Sequence, residues 1–184
     1  MLKKMICLFA LVILLTNSVG FASSSDRWQW IVSDDKQGVF FDTESIQFVT
    51  KEKCTTHNHK YEFYKVVDVS KIIVCFKTFY TEAGRAPYVE SARMHGNYEA
   101  GEALSNMEYT IQKMEFDYTK DSYRIGWVAI YDADGNIIDI IPHTGNEPWI
   151  EIIPASKMEK IAKFMRSYAM KNYDKVKRQT NTLD

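Results

Sequence analysis

The sequence predicts an α+β domain: a mainly antiparallel sheet of hairpins and a meander, with a C-terminal amphipathic helix packed on it. Three observations carry this. Runs rich in β-branched and aromatic residues alternate at period two, as half-buried strands do. Turn signals built on Asp, Asn and Gly separate those runs at hairpin spacing. A single strong 3.6-period stripe appears near the C-terminus, from Met158 to Ala169.

Taken in order, the chain opens with Lys3 and Lys4, an apolar run from Met5 to Leu15, and a small-residue exit at Gly20-Phe21-Ala22. A basic start, a short apolar stretch and a small-x-small site make a secretory signal, so cleavage is expected after Ala22. The apolar run is about half of what a membrane-spanning helix needs. Cys7 lies deep inside that run rather than at the cleavage point, where a lipoprotein would carry its cysteine. The expectation is export to the periplasm, cell surface or medium with no stable membrane anchor, residues 23–184 forming one domain.

Arg27 to Ser33 reads as a strand with Trp28, Trp30 and Val32 on one face, and Asp34 to Gly38 as the turn into Val39-Phe40-Phe41. Ile46 to Val49 follows. Lys51 to Lys60 is polar and reads as a loop. Tyr61 to Val69 and Ile72 to Tyr80 read as two strands. Residues 81–106 carry weaker signals: a short helix from Tyr88 to Met94 after Pro87, then a loop or weak helix.

Residues 107–141 read as a three-stranded antiparallel meander. Its strands are Met107–Tyr118, Tyr123–Tyr131 and Ile137–Ile141, with an Asp-Gly turn at Asp134-Gly135. The apolar residues of the first strand change face at Lys113-Met114, which predicts a bulge there. Ser156 and Glu159 form a capping box that opens a helix over about Lys157 to Asn172. The polar tail from about Asp174 is expected to fray.

Composition narrows the chemistry. Losing Lys3 and Lys4 with the signal leaves a net charge of −3, and no basic cluster stands out, so nucleic acid is not expected as a partner. Cys54 and Cys75 are the two cysteines left after cleavage. In an oxidising compartment they are expected to form one disulfide, against the alternative of a redox or metal pair.

Cys54-x-x-His57-x-His59 brings metal-ligating residue types together, but three local donors at this spacing fall short of a structural zinc site. Accordingly no metal and no cofactor is expected, with His57 and His59 the candidates should one bind. Asp132-Ala133-Asp134-Gly135-Asn136 starts like a calcium loop, yet its twelfth position is His143 rather than Glu, so it reads as a hairpin turn. There is no nucleophile elbow and no glycine-rich phosphate loop, and no catalytic residue is expected. Tyr61, Phe63, Tyr64, Phe76, Phe79, Tyr80 and Tyr88 cluster in sequence. On an exposed sheet face such residues are contact anchors; otherwise they are core.

Several segments together resemble the exported bacterial proteins grouped with surface-adhesin protein E. They are Trp28-x-Trp30-Ile31, Phe40-Phe41-Asp42-Thr43-Glu44-Ser45-Ile46 and Val74-Cys75-Phe76-Lys77-Thr78, followed by Tyr123-Arg124-Ile125, Tyr131-Asp132-x-x-Gly135-Asn136 and Trp149-x-x-Ile152-x-Pro154-x-Ser156. The resemblance implies an antiparallel sheet backed by a C-terminal helix, and a surface or periplasmic binding protein whose partners are proteins. This chain departs from the pattern in lacking a lipid-attachment cysteine and in carrying the long stretch 81–106. A non-enzymatic binding or adhesin-like module is therefore the leading expectation, and a periplasmic small-molecule or metal-binding module the alternative.

Overall fold

A computed structural model describes residues 27–57 and 60–181, except the side chain of His57. The expected signal over residues 1–22 lies outside the described residues. The architecture is α+β, with strands β1 (Trp28–Ser33), β2 (Gln37–Asp42), β3 (Gln47–His57), β4 (Lys60–Tyr80), β5 (Tyr109–Asp117), β6 (Ser122–Tyr131), β7 (Ile137–Ile141) and β8 (Ile150–Glu151). Helices α1 (Glu82–Met94) and α2 (Tyr98–Ser105) follow β4, and α3 (Lys157–Lys171) and α4 (Tyr173–Asn181) follow β8.

All strand pairs are antiparallel, in the order β1-β2-β4-β5-β6-β7, with β3 also on β4 and β8 also on β6. The long strand β4 organises the sheet. Its C-terminal half lies between β2 and β5, while its N-terminal half pairs with β3 alone. Lys51–His57 and Lys60–Val66 thus form a two-stranded ribbon extending beyond the sheet. This corrects two sequence expectations. The polar stretch 51–60 is strand rather than loop, because its residues continue the pairing begun at Gln47↔Ile73. The two strands expected over 61–80 are one, with the register slipping between Phe48 and Val49 where β4 crosses Asp68 to Ile72.

One sheet face is covered. Phe41, Val74, Phe76, Met114 and Phe116 pack there against Ile161, Met165 and Ala169 of α3 and Val176 of α4. The period-3.6 stripe of α3 supplies that contact, and rings from both sides interlock: Phe41 meets Tyr168 edge-on with centroids 4.7 Å apart. Ser156 caps α3 by accepting from Glu159 N at 3.1 Å, and the Glu159 carboxylate reaches back to Ala155 N at 3.0 Å. The return half of the capping box therefore closes one residue earlier than the simple motif.

As far as Asn181 the tail does not fray. From Tyr173 it forms α4, because Val176 and Thr180 sit one turn apart and both are buried, and Thr180 Oγ1 accepts from Phe48 N at 2.9 Å. Residues 81–106 are also more ordered than expected. Thr81 caps α1 well before Pro87 by accepting from Gly84 N at 3.2 Å, and its hydroxyl donates to Asp35 O at 2.8 Å. The missing N–H of Pro87 costs the helix one internal bond, which the flanking turns absorb.

The meander over 107–141 forms as expected. The predicted bulge is present at the expected level but on the partner strand. Gln112 faces Val128 and Met114 faces Ile125, so the extra residue lies in β6 at Gly126-Trp127. β5 alternates without interruption. Its apolar pattern changes face because both faces of the strand carry apolar residues.

Candidate functional site: two faces of one sheet

The second sheet face carries no helix among the described residues. Alternation places Trp30 and Phe40, then Lys77 and Phe79, then Tyr109 and Ile111, then Tyr131 on it, from β1 across to β6. The rings form a continuous row. Phe40 meets Phe79 edge-on at 5.8 Å, Phe79 meets Tyr109 at 5.4 Å, and Tyr109 stacks on Tyr131 at 4.8 Å. Lys77 lies over Phe79 and Tyr109, its nitrogen 4.7 and 3.9 Å from the two centroids. Burial by those rings lowers the Lys77 pKa from the usual lysine range. Burial, followed by the neighbouring Tyr131 hydroxyl, raises that of Tyr109. At the rim Trp30 is 57% exposed and Phe79 36%.

Further along the same face, Trp149 lies between two cations. Arg124 sits 4.9 Å from its ring centroid and Lys71 5.5 Å. Arg124 is held by Glu115 at 2.6 Å and Lys71 by the buried Asp117 at 3.0 Å. Beside them His143 bonds Glu147 through Nδ1 at 2.6 Å. The Glu147 pKa is pulled down to about 2: its own burial opposes this, and bonds from the Thr144 backbone and hydroxyl, with His143, outweigh it. This pair braces the 142–149 loop beside a small cavity that Lys113, Gly126 and Trp127 share with His143.

The ribbon adds a separate exposed set. Tyr61, Phe63 and Tyr64 are 73%, 69% and 45% exposed. Of the seven aromatics singled out in sequence, Phe76 is core, these three are on the ribbon, Phe79 is on the helix-free face, and Tyr80 and Tyr88 meet edge-on at 5.6 Å beside α1.

The expected disulfide is not formed. Cys54 and Cys75 are both free. Cys54 stands opposite Phe63 on the ribbon, and Cys75 lies twelve residues further along β4, opposite Lys113. At about 3.3 Å per residue that is about 40 Å, whereas a disulfide requires Cα atoms within about 7 Å. The sequence reading placed Cys54 in a loop free to fold back, and the pairing of β3 removes that freedom. Among the described residues no group of three His, Cys, Asp or Glu is placed to hold a metal. Of the metal candidates, His59 and the His57 side chain lie outside the described residues. No described helix is long and apolar enough to cross a membrane.

On the covered face the two helix pairs leave a cleft between them. Its larger lobe, about 510 Å³, lies under α1 and α2 against Thr110, Val128 and Ile141. A second lobe of about 350 Å³ runs toward Met158 and Ile161 of α3. Gln112 lines both lobes. Sequence reasoning missed this cleft, because its walls come from eight elements that only the fold brings together.

The chain matches no family model, no curated protein and no solved structure.

Proposed function

We propose that this protein is an exported, non-enzymatic binding module that takes a protein partner on its helix-free sheet face. The observation that carries the reading is the aromatic row from Phe40 to Tyr131, with the exposed Trp30 beside Phe40, left without a helix on a sheet whose other face carries the core. Contiguous exposed apolar surface on a soluble domain marks an interaction site, and aromatic anchors dominate the energetics of such sites. The adhesin-like resemblance of the Trp28, Phe40 and Val74 segments, together with the N-terminal export signal, supports the same reading.

The partner docks on the face rather than adding a strand to β7. Asp139 accepts a bond from Ile140 N at 2.8 Å, so its carboxylate blunts that edge. The test is a comparison of wild type with Trp30→Ser/Phe79→Ser. Each immobilised protein is exposed to material from the cell surface, and a component held by wild type alone is purified and its affinity measured directly. At least a tenfold loss of affinity in the double variant is expected. Equal retention of every component by the two proteins would remove the helix-free face as the binding surface.

A second reading, a small-molecule module, is favoured by the apolar cleft on the other face.

A further inference from the structure

The cleft has the features of a built ligand site, and its lining specifies the ligand. Its larger lobe falls within the about 300–1,000 Å³ typical of small-molecule sites. Leu104, Met107, Val128 and Ile141 give it apolar walls. Two polar side chains interrupt the floor. Thr110 is 5% exposed, and its hydroxyl is within hydrogen-bonding reach of the Tyr80 hydroxyl. Tyr80 lies beside it, its own pKa pushed up by burial. Gln112 donates from its amide only to the Met114 sulfur, at 3.5 Å, a weak acceptor. Gln112 is half-buried at the cleft floor, and an amide whose one protein acceptor is a thioether keeps donor and acceptor capacity for a ligand.

Charge completes the description. Among the described residues, the only Lys or Arg lining either lobe is Lys157, and it is ion-paired with Asp34. The Asp34 pKa is pulled down to about 2, first by its bond to Lys157 and then by the Lys36 and Gln37 backbone. His95 lies in the wall with Nδ1 engaged by Ser91 O at 2.7 Å. Asp139 is at the exposed mouth, bonded to its own strand. Nothing here compensates a buried carboxylate or phosphate, and burying an unpaired charge is prohibitive.

We infer that the cleft binds a neutral, elongated amphiphile. A hydroxyl or amide head bonds the Gln112 side chain where the two lobes meet, and an aliphatic or aryl body lies between α2 and the sheet. This rests on the small-molecule reading and is independent of a partner on the opposite face.

The experiment uses the protein recovered after expression of the full chain. The neutral fluorophore N-phenyl-1-naphthylamine is titrated in, then displaced with decan-1-ol or with decanoate at neutral pH. One saturable site is expected, displaced by the alcohol at concentrations at least tenfold below those needed for the carboxylate. Gln112→Leu should weaken the alcohol about fivefold to tenfold, the worth of one or so hydrogen bonds, and weaken the mainly aryl fluorophore by less. Ala92→Trp and Leu104→Trp each fill the larger lobe and should abolish fluorophore binding, whereas Trp30→Ser/Phe79→Ser should not affect it.

Methyl NMR of the unaltered protein provides a test without variants. Decan-1-ol should shift Leu104, Met107, Val128 and Ile141. Shifts at Ile73 and Ile111 instead, no saturable site, or equal displacement by alcohol and carboxylate would each overturn the inference.

Discussion

Phe76 and Phe79 lie three residues apart on β4 and make opposite predictions. Phe76 is 1% exposed, with its ring edge-on to Phe116 at 6.1 Å, inside the layer that α3 covers. Truncation to alanine there removes a fully buried ring from the wall between the core and the smaller lobe of the cleft, at a cost of about 3 kcal/mol or more. Phe79 is 36% exposed on the helix-free face. Full burial of a phenylalanine is worth up to about 3 kcal/mol, so the two-thirds that Phe79 hides accounts for about 2 kcal/mol. Water fills the space a truncation leaves there, so no cavity cost is added. The predicted cost of Phe79→Ala is about 1–2 kcal/mol, against a total of about 5–15 kcal/mol for a domain of this size.

Urea unfolding followed by tryptophan fluorescence measures both. Unchanged m-values would show that the two variants still unfold the same surface. Equal losses for Phe76→Ala and Phe79→Ala would refute the reasoning, because the second face would then be as deeply covered as the first.

Other predictions follow from individual contacts. Ser156→Ala should cost about 1 kcal/mol by uncapping α3, read as a drop in urea midpoint. Gly84→Ala gains helix propensity, but its Cβ would run into the Lys36 carbonyl oxygen, so the variant should melt lower than wild type in a calorimetric scan. Burial tends to raise the Asp117 pKa, but bonds from Thr119 and Lys71 outweigh it and hold the carboxyl below the usual carboxylate range. A depressed folded pKa stabilises above the unfolded value of about 3.9, and that contribution is lost as pH falls through the folded one. Asp117→Asn should therefore lower stability at pH 7 by about 1–3 kcal/mol and flatten its loss on acidification. Under non-reducing conditions both thiols should be alkylated. Cys54, exposed on the ribbon, should react faster than Cys75, whose pKa is raised chiefly by burial. A single unreactive pair in mass spectra would restore the expected disulfide.

Much of the fold was legible in local pattern. The Trp28–Phe41 hairpin, the 107–141 meander and the Ser156-capped helix each carry period, turn or cap signals. The strict alternation expected of Trp28, Trp30 and Val32 is broken, however: β1 holds one extra residue at Ile31, which puts Val32 opposite Val39 on the covered face. What the sequence hid has a common cause: it depends on partners distant in the chain. The strand character of 51–57 comes from pairing with 60–66, and α4 is ordered by Val176 and Thr180 meeting β3. The bulge is visible from β5 as a change of face, but which strand holds the extra residue is decided between β5 and β6. The aromatic row was half visible. Residue type pointed to anchors, but the choice between core and surface for Phe76 and Phe79 rests on the parity of β4 and on the helices covering one face alone. The cleft carried no local signal, because Gln112 and Thr110 are ordinary strand residues until α1 and α2 close over them.

The central claim is that the helix-free face holds the partner. Its most direct measurement is the affinity of a purified surface component for wild type, for Trp30→Ser/Phe79→Ser, and for a ribbon variant, Tyr61→Ser/Phe63→Ser. The account predicts a loss of at least tenfold in the first variant, with the fold intact, and a change of less than threefold in the second. Full affinity in the first variant, or a loss confined to the ribbon variant, would contradict it.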